Sequence, residues 1–200
     1  VDDVKLEANT VATDYQPAVE DSVFSIQTVH RTPPSLSDVV VTAGPNNVQV
    51  SIDSSRRFLI DGEPFIPFAV GWESLPTANE FNHFARAGFN TVCFLAKASQ
   101  TVETIRAALD NAKANGLKII LWFDNALTST TIQNWVIGLR DHPAIISWYV
   151  YDEPSSITPE VQAKYDAAKN NDNYGRPVYV NYWRTPLSLG DIASIDNYAV

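Results

Sequence analysis

From Phe65 to Asp196 the chain alternates short apolar runs with stretches of helical spacing, and this rhythm limits the folds open to it. Phe65–Gly71 reads as a continuous apolar run, as in a strand buried on both faces. Thr77–Ala87 carries Phe81, Phe84 and Ala85 at helical spacing, and Gly88 supplies the stop. Thr91–Leu95 is the next strand, and Thr101–Asn115 then places Val102, Ile105, Ala108, Leu109 and Ala112 on one helical face before Gly116. Leu117–Phe123 reads as a strand, and a helix opening at Ser129 or Thr130 holds Ile132, Trp135, Val136 and Leu139. The pattern continues with a strand at Ala144–Tyr151, a helix at Thr158–Asn170, and strands at Pro177–Asn181 and Ile192–Asp196. Strand and helix alternating through short loops build a parallel sheet.

Such a sheet closes in one of two ways, as an open doubly wound sheet or as a barrel. An open nucleotide-binding sheet carries a glycine-rich phosphate turn after its first strand. Here that turn reads Gly71-Trp72-Glu73-Ser74, which disfavours a nucleotide-dependent enzyme. The strand ends instead bear large polar and aromatic residues: Trp72 and Glu73, Asp124 and Asn125, Asp152 and Glu153, Asn181 and Tyr182, and Asp196 to Tyr198. Polar groups converging at the C-terminal ends of parallel strands are what a barrel active site requires. The expected fold is therefore α/β, a (β/α)8 TIM barrel, incomplete with about six strands present. A whole barrel takes about 250 residues, so the closing strands are expected beyond Val200.

The first fifty residues differ from the rest. Val1–Glu7 alternates like a half-buried strand, and the polar stretch after it is broken by Pro17, Pro33, Pro34 and Gly44-Pro45. The expected layout is a remnant of a preceding β-sandwich module at 1–17, a linker at 18–47, and the N-terminal part of the barrel at 48–200. Val48–Ile52 and Arg57–Ile60 read as strands ahead of the barrel, and Asp61-Gly62 as a hairpin turn.

Composition narrows the partners. The net charge is −9 and Lys and Arg nowhere cluster, which argues against nucleic acid and anionic membrane surfaces. No apolar run reaches the ~18 residues of a membrane-spanning helix. The single cysteine, Cys93, sits in an apolar strand with no His nearby in sequence, so packing rather than chemistry is its expected role. No metal and no cofactor is expected.

Glu153 is the acid most suited to chemistry. It follows the buried run ending at Tyr151, and Pro154 stops the strand ladder directly after it. This region resembles the large clan of retaining β-glycosidases on (β/α)8 barrels, which includes cellulases, mannanases and β-galactosidases. The resemblance rests on His142-Pro143 before the strand, Trp148 within it, and Asp152-Glu153-Pro154 at its end. It also rests on Phe58–Phe65 with its Asp-Gly turn, on Ala87–Val92, and on Ala114–Ile119.

The resemblance implies that Glu153 is the general acid/base and that the nucleophilic Glu closes a seventh strand beyond Val200. Asp152 stands where the clan usually has Asn, a departure that leaves the sugar open. Trp72, Glu73, Asp124, Asp152, Asn181, Tyr182, Asp196 and Tyr198 are the expected substrate-binding residues, with Trp72, Tyr182 and Tyr198 as a stacking platform for a carbohydrate. Residues 1–17 resemble the closing strand of a jelly-roll carbohydrate-binding module, a layout that implies a secreted or cell-surface polysaccharide-degrading protein. The rival expectation is a barrel without catalysis, carbohydrate-binding or structural, in a surface or phage adhesive protein. Oligomeric state is not legible.

Overall fold

A computed structural model describes residues 48–183 and 187–196. The regions expected as a module remnant and linker, and Tyr198, lie outside the described residues. Three short strands come first: β1 (Val50–Ile52), β2 (Phe58–Ile60) and β3 (Glu63–Pro64), paired antiparallel in that order. The β2–β3 turn is made by Asp61 and Gly62, both at positive φ (53° and 84°), as a tight two-residue hairpin demands.

Six parallel strands follow in sheet order: β4 (Ala69–Trp72), β5 (Thr91–Ala96), β6 (Lys118–Phe123), β7 (Ile145–Asp152), β8 (Val178–Trp183) and β9 (Ile192–Asp196). Helices α1 (Ala78–Arg86), α2 (Val102–Ala114), α3 (Ser129–Leu139) and α4 (Pro159–Lys169) connect the first five of them. The sheet curls into half of an α/β barrel, which is the fold expected from the sequence.

Each helix begins on a threonine whose hydroxyl accepts a backbone N–H of the first turn: Thr77, Thr101, Thr128 and Thr158. Such caps contribute about 1 kcal/mol each. The alternation of each strand then sorts side chains between two faces. Val92, Phe94 and Ala96 of β5, Ile119, Leu121 and Phe123 of β6, Trp148 and Val150 of β7, and Val178, Val180 and Tyr182 of β8 join the core beneath the helices. Helices α2 and α3 approach closely because residue 138 is glycine; a Cβ there would lie 2.9 Å from Val102 Cγ1. On the opposite, concave face the hairpin plugs the foot of the sheet, with Val48 and Val50 packed on Ile146, and Ile120, Phe58 and Ile60 around them.

One expectation is corrected. Phe65–Gly71 is not a strand buried on both faces: β4 starts only at Ala69, and Ile66 and Phe68 are 84% and 58% exposed. Among the described residues β4 pairs with β5 alone, and Pro67 has no N–H to offer a ladder. Asn90 holds this approach instead, accepting from Phe68 N–H (2.7 Å) and donating to the Ile66 carbonyl (3.0 Å).

Candidate active site

The strand β7 carries the site because its period-two alternation breaks. Its register against β8 shifts between Tyr149 and Tyr151, after which Asp152 stands opposite Asn181. A bulge inserts one residue and re-aims the side chains beyond it. Tyr149 and Asp152, three apart, therefore share the concave face, while Tyr151 turns to the helices. The Tyr149 hydroxyl donates to Asp152 Oδ1 in a short contact. Asn181 Nδ2 donates to the same oxygen at 3.0 Å. Ser194 Oγ in turn donates to Asn181 Oδ1, and the Tyr179 hydroxyl meets Ser194 Oγ. Three strands thus share one polar chain, β7 to β8 to β9.

An aromatic floor lies beside it. Trp122 stacks on Tyr149 with ring centroids 5.3 Å apart, and Tyr149 leans on Tyr179 at 4.4 Å. Burial, with the hydrogen bond to Asp152 added, pushes the Tyr149 phenol well above its usual range, so it acts as a fixed donor. Burial and then the Asp152 charge push the Cys93 thiol up to about 12, which keeps it a neutral packing residue at physiological pH.

Glu153 leaves the strand at φ +51°, a left-handed conformation that non-glycine residues avoid. Pro154 follows directly and is buried. The residue before a proline is normally driven towards extended backbone, so two local preferences are overridden at this carboxylate. Its N–H donates to the Asn181 carbonyl at 2.9 Å. The preceding residue is gripped from the loop after β6: Asp152 N–H donates to Asn125 Oδ1 (2.9 Å), and Asn125 Nδ2 donates to the Asp152 carbonyl (2.8 Å).

The expected site residues separate by where the structure places them. Asp152, Glu153 and Asn181 come together at the end of β7 and β8. Glu73 sits exposed in the bend after β4, and Asp196 ends β9 in register with Trp183. Asp124 caps its own loop, with Oδ1 accepting from Ala126 N–H at 2.8 Å.

Trp72 and Tyr182 are placed elsewhere than expected. Trp72 packs edge-on against Phe84 under α1 (5.1 Å), and Tyr182 is fully buried and donates to the Leu189 carbonyl at 2.5 Å. The Tyr182 ring has no exposed face to stack on a sugar, and the partly buried Trp72 ring packs with the core beneath the helices. The sequence held the signal: in Val178-Tyr-Val-Asn-Tyr-Trp183 the valines mark the helix-facing set, and Tyr182 belongs with them. The same alternation assigns Tyr179, Asn181 and Trp183 to the concave face, and Trp183 is 54% exposed there. Tyr149 and Ser194 are the other site residues that the sequence reading missed, and Asn125 is named there only among the polar residues at the strand ends. Among the described residues no group of three or more His, Cys, Asp or Glu is placed to hold a metal ion.

No family model and no curated protein matches this chain. Solved structures do. The β-glucuronidase of Ruminococcus gnavus in its apo form superposes with a TM-score of 0.51 at 17% identity, covering 68% of this chain and 28% of that one. Its complex with uronic deoxynojirimycin gives a TM-score of 0.56 at 17% identity, over 76% of this chain and 32% of that one. Its complex with D-glucuronic acid gives 0.52 at 18%, over 68% and 27%. The likeness shows the fold. This chain spans 27–32% of the length of the glucuronidase chains, and the match is to a TIM-barrel architecture that glycosidases use.

Proposed function

We propose that this barrel belongs to a retaining glycosidase of β-linked poly- or oligosaccharides, with Glu153 as its general acid/base. The observation that carries the reading is the left-handed Glu153 at the mouth of β7, its N–H bonded to the Asn181 carbonyl of β8, the residue before it clamped by the Asn125 side chain, and the strand stopped by Pro154. Backbone strain of this kind, about 1–3 kcal/mol, persists where the surroundings impose it, and it clusters at active sites. The sequence resemblance around Asp152-Glu153-Pro154 and the barrel likeness to β-glucuronidase support the same conclusion.

In this reading a second carboxylate, from a segment outside these 200 residues, attacks the anomeric carbon while the bond to the leaving oxygen breaks. Glu153 gives its proton to that oxygen. Water then attacks the glycosyl ester, loses a proton to Glu153, and frees the carboxylate. The two carboxyl groups must stand ~5–5.5 Å apart for this sequence of steps. Asp152, held through Oδ1 by Tyr149 and Asn181, accepts from a sugar hydroxyl, and the exposed Trp183 ring offers a stacking surface. A secreted or cell-surface setting suits a polysaccharide substrate.

Glu153→Gln in the full-length protein tests the assignment. Turnover of glycosides with poor leaving groups should fall about 10²–10⁴-fold, the usual worth of general acid catalysis, while activated aryl glycosides are spared at the glycosylation step. Equal activity of wild type and variant on both substrate types would overturn it.

A further inference from the structure

We infer that Asn125, anchored by the buried ammonium of Lys164, is the positioning residue that sets the proton-donating geometry of Glu153. This inference rests on the acid/base reading of Glu153 and goes beyond it. Asn125 is an exposed residue of the loop after β6, named in the sequence only as one of the polar residues at the strand ends, yet both halves of its amide are spent on the main chain of one residue, Asp152. Oδ1 accepts the Asp152 N–H at 2.9 Å and Nδ2 donates to the Asp152 carbonyl at 2.8 Å. A side-chain amide that pairs with both polar groups of one residue fixes that residue as a sheet partner would. Here it does so at the last position of β7, where the left-handed turn of Glu153 begins.

The clamp is itself held from behind. Lys164 on α4 is fully buried, and its Nζ donates to the Asn125 main-chain carbonyl at 2.7 Å. The same ammonium pairs with Glu160 Oε1 at 2.7 Å and lies 4.8 Å from the centre of the Tyr151 ring. A buried lysine is costly unless paired, so these contacts are its compensation. Asp124 shapes the loop by capping Ala126 N–H, which presents Asn125 towards β7. The result is one continuous path: α4 ammonium, Asn125 main chain, Asn125 amide, Asp152 peptide, Glu153. In this inference Asn125 acts through the backbone that aims the carboxyl group.

A donor displaced by about 1 Å loses on the order of 10²-fold in rate. Asn125→Ala in the full-length protein should therefore lower kcat on poor-leaving-group glycosides by about 10–100-fold, while activated aryl glycosides change by less than about threefold. KM should move little. Asn125→Asp keeps the acceptor half of the clamp and should recover part of the loss. Lys164→Met, which keeps the apolar stem, should show the same leaving-group signature in weaker form. A purely structural role would instead lower thermal stability and reduce both substrate types in parallel, and that result overturns the inference. Glu153→Gln run alongside separates the two readings. If it loses the poor-leaving-group reaction and Asn125→Ala does not, the clamp fails and the acid/base survives. If Glu153→Gln itself changes nothing, the acid/base reading fails first.

Discussion

The two ends of β7 are built on opposite principles. At its foot, Arg176 and Asp172 form an ion pair at 3.1 Å with side chains 0% and 1% exposed. Every strong group there is spoken for. Arg176 donates to the carbonyls of Ile145 (2.8 Å), Arg140 (2.7 Å) and His142 (3.2 Å), and Asp172 accepts from Trp148 Nε1 at 2.8 Å. At the mouth, Asp152 and Glu153 are half-buried, and Glu153 stands in a backbone conformation its residue type avoids. The foot satisfies its buried charges; the mouth holds a carboxylate on a strained backbone. In parallel barrels the N-terminal end of the strands serves stability and the C-terminal end serves chemistry; in β7 the foot holds the buried ion pair, and the proposed function puts the chemistry at the mouth.

The largest effect expected from breaking this contrast is at the foot. Arg176→Met strands the Asp172 charge and three carbonyls in a dry interior, and losing one partner of a buried pair costs about 3–5 kcal/mol. Urea unfolding should show that loss in full. The folded fraction should keep the wild-type ratio of rates on good and poor leaving groups. A shift in that ratio would mean that the foot also tunes the chemistry, and the division between foot and mouth would fail.

At the mouth the sign reverses. Glycine adopts a left-handed backbone without a Cβ penalty, so Glu153→Gly should stabilise the fold by about 1 kcal/mol while abolishing acid catalysis. A glycine variant of unchanged or lower thermal stability would show that φ +51° carries no strain at this position.

The helix boundaries were largely legible in the sequence, the Arg176–Asp172 pair at the foot was not read there, and the mouth was legible only in part, for physical reasons. Helix boundaries follow from local chemistry: Thr77, Thr101 and Thr158 stand where a cap is needed, and the structure uses each of them. For α3 the cap is Thr128, one residue ahead of the expected start, because a run of four hydroxyl residues from Thr128 to Thr131 offers several equivalent caps. Trp72 and Tyr182 depart from expectation because a place beside a strand end does not make a residue face the site; alternation with Val70 and Val180 turns both to the helices. The pairing of Tyr149 with Asp152 was beyond reach for a different reason. It depends on a one-residue bulge, and a bulge is set by the register of a neighbouring strand, not by the strand's own composition. Asn125 was legible only as a polar residue at a strand end: nothing local distinguishes a loop asparagine that clamps a distant residue from one that faces water.

The smallest effect expected is a pH response confined to the foot. His142 is 3% exposed, and its Nδ1 accepts the Ala144 N–H at 3.2 Å while Nε2 faces Asp110 Oδ1 at 3.1 Å. Burial lowers its pKa below 6.5; Asp110 opposes this, and the charges of Arg106 and Lys113 assist it. A new proton would have to settle on Nδ1, where it would displace the Ala144 N–H and unfasten the entry to β7. The unfolded chain therefore takes up the proton first as pH falls, so the fold loses stability below 6.5 and gains nothing further above it. The carboxylates held low by their bonds, Asp53, Glu80, Glu103 and Asp141, respond only nearer their ordinary values of 3.8 to 4.5, so the two windows separate. Thermal unfolding measured between about pH 7.5 and 5.5, a range that brackets the ordinary histidine value, should show a shallow decline that His142→Gln flattens. A decline of equal slope in the variant would remove His142 from the devices that hold the foot of the strand and leave the Arg176–Asp172 pair as its anchor.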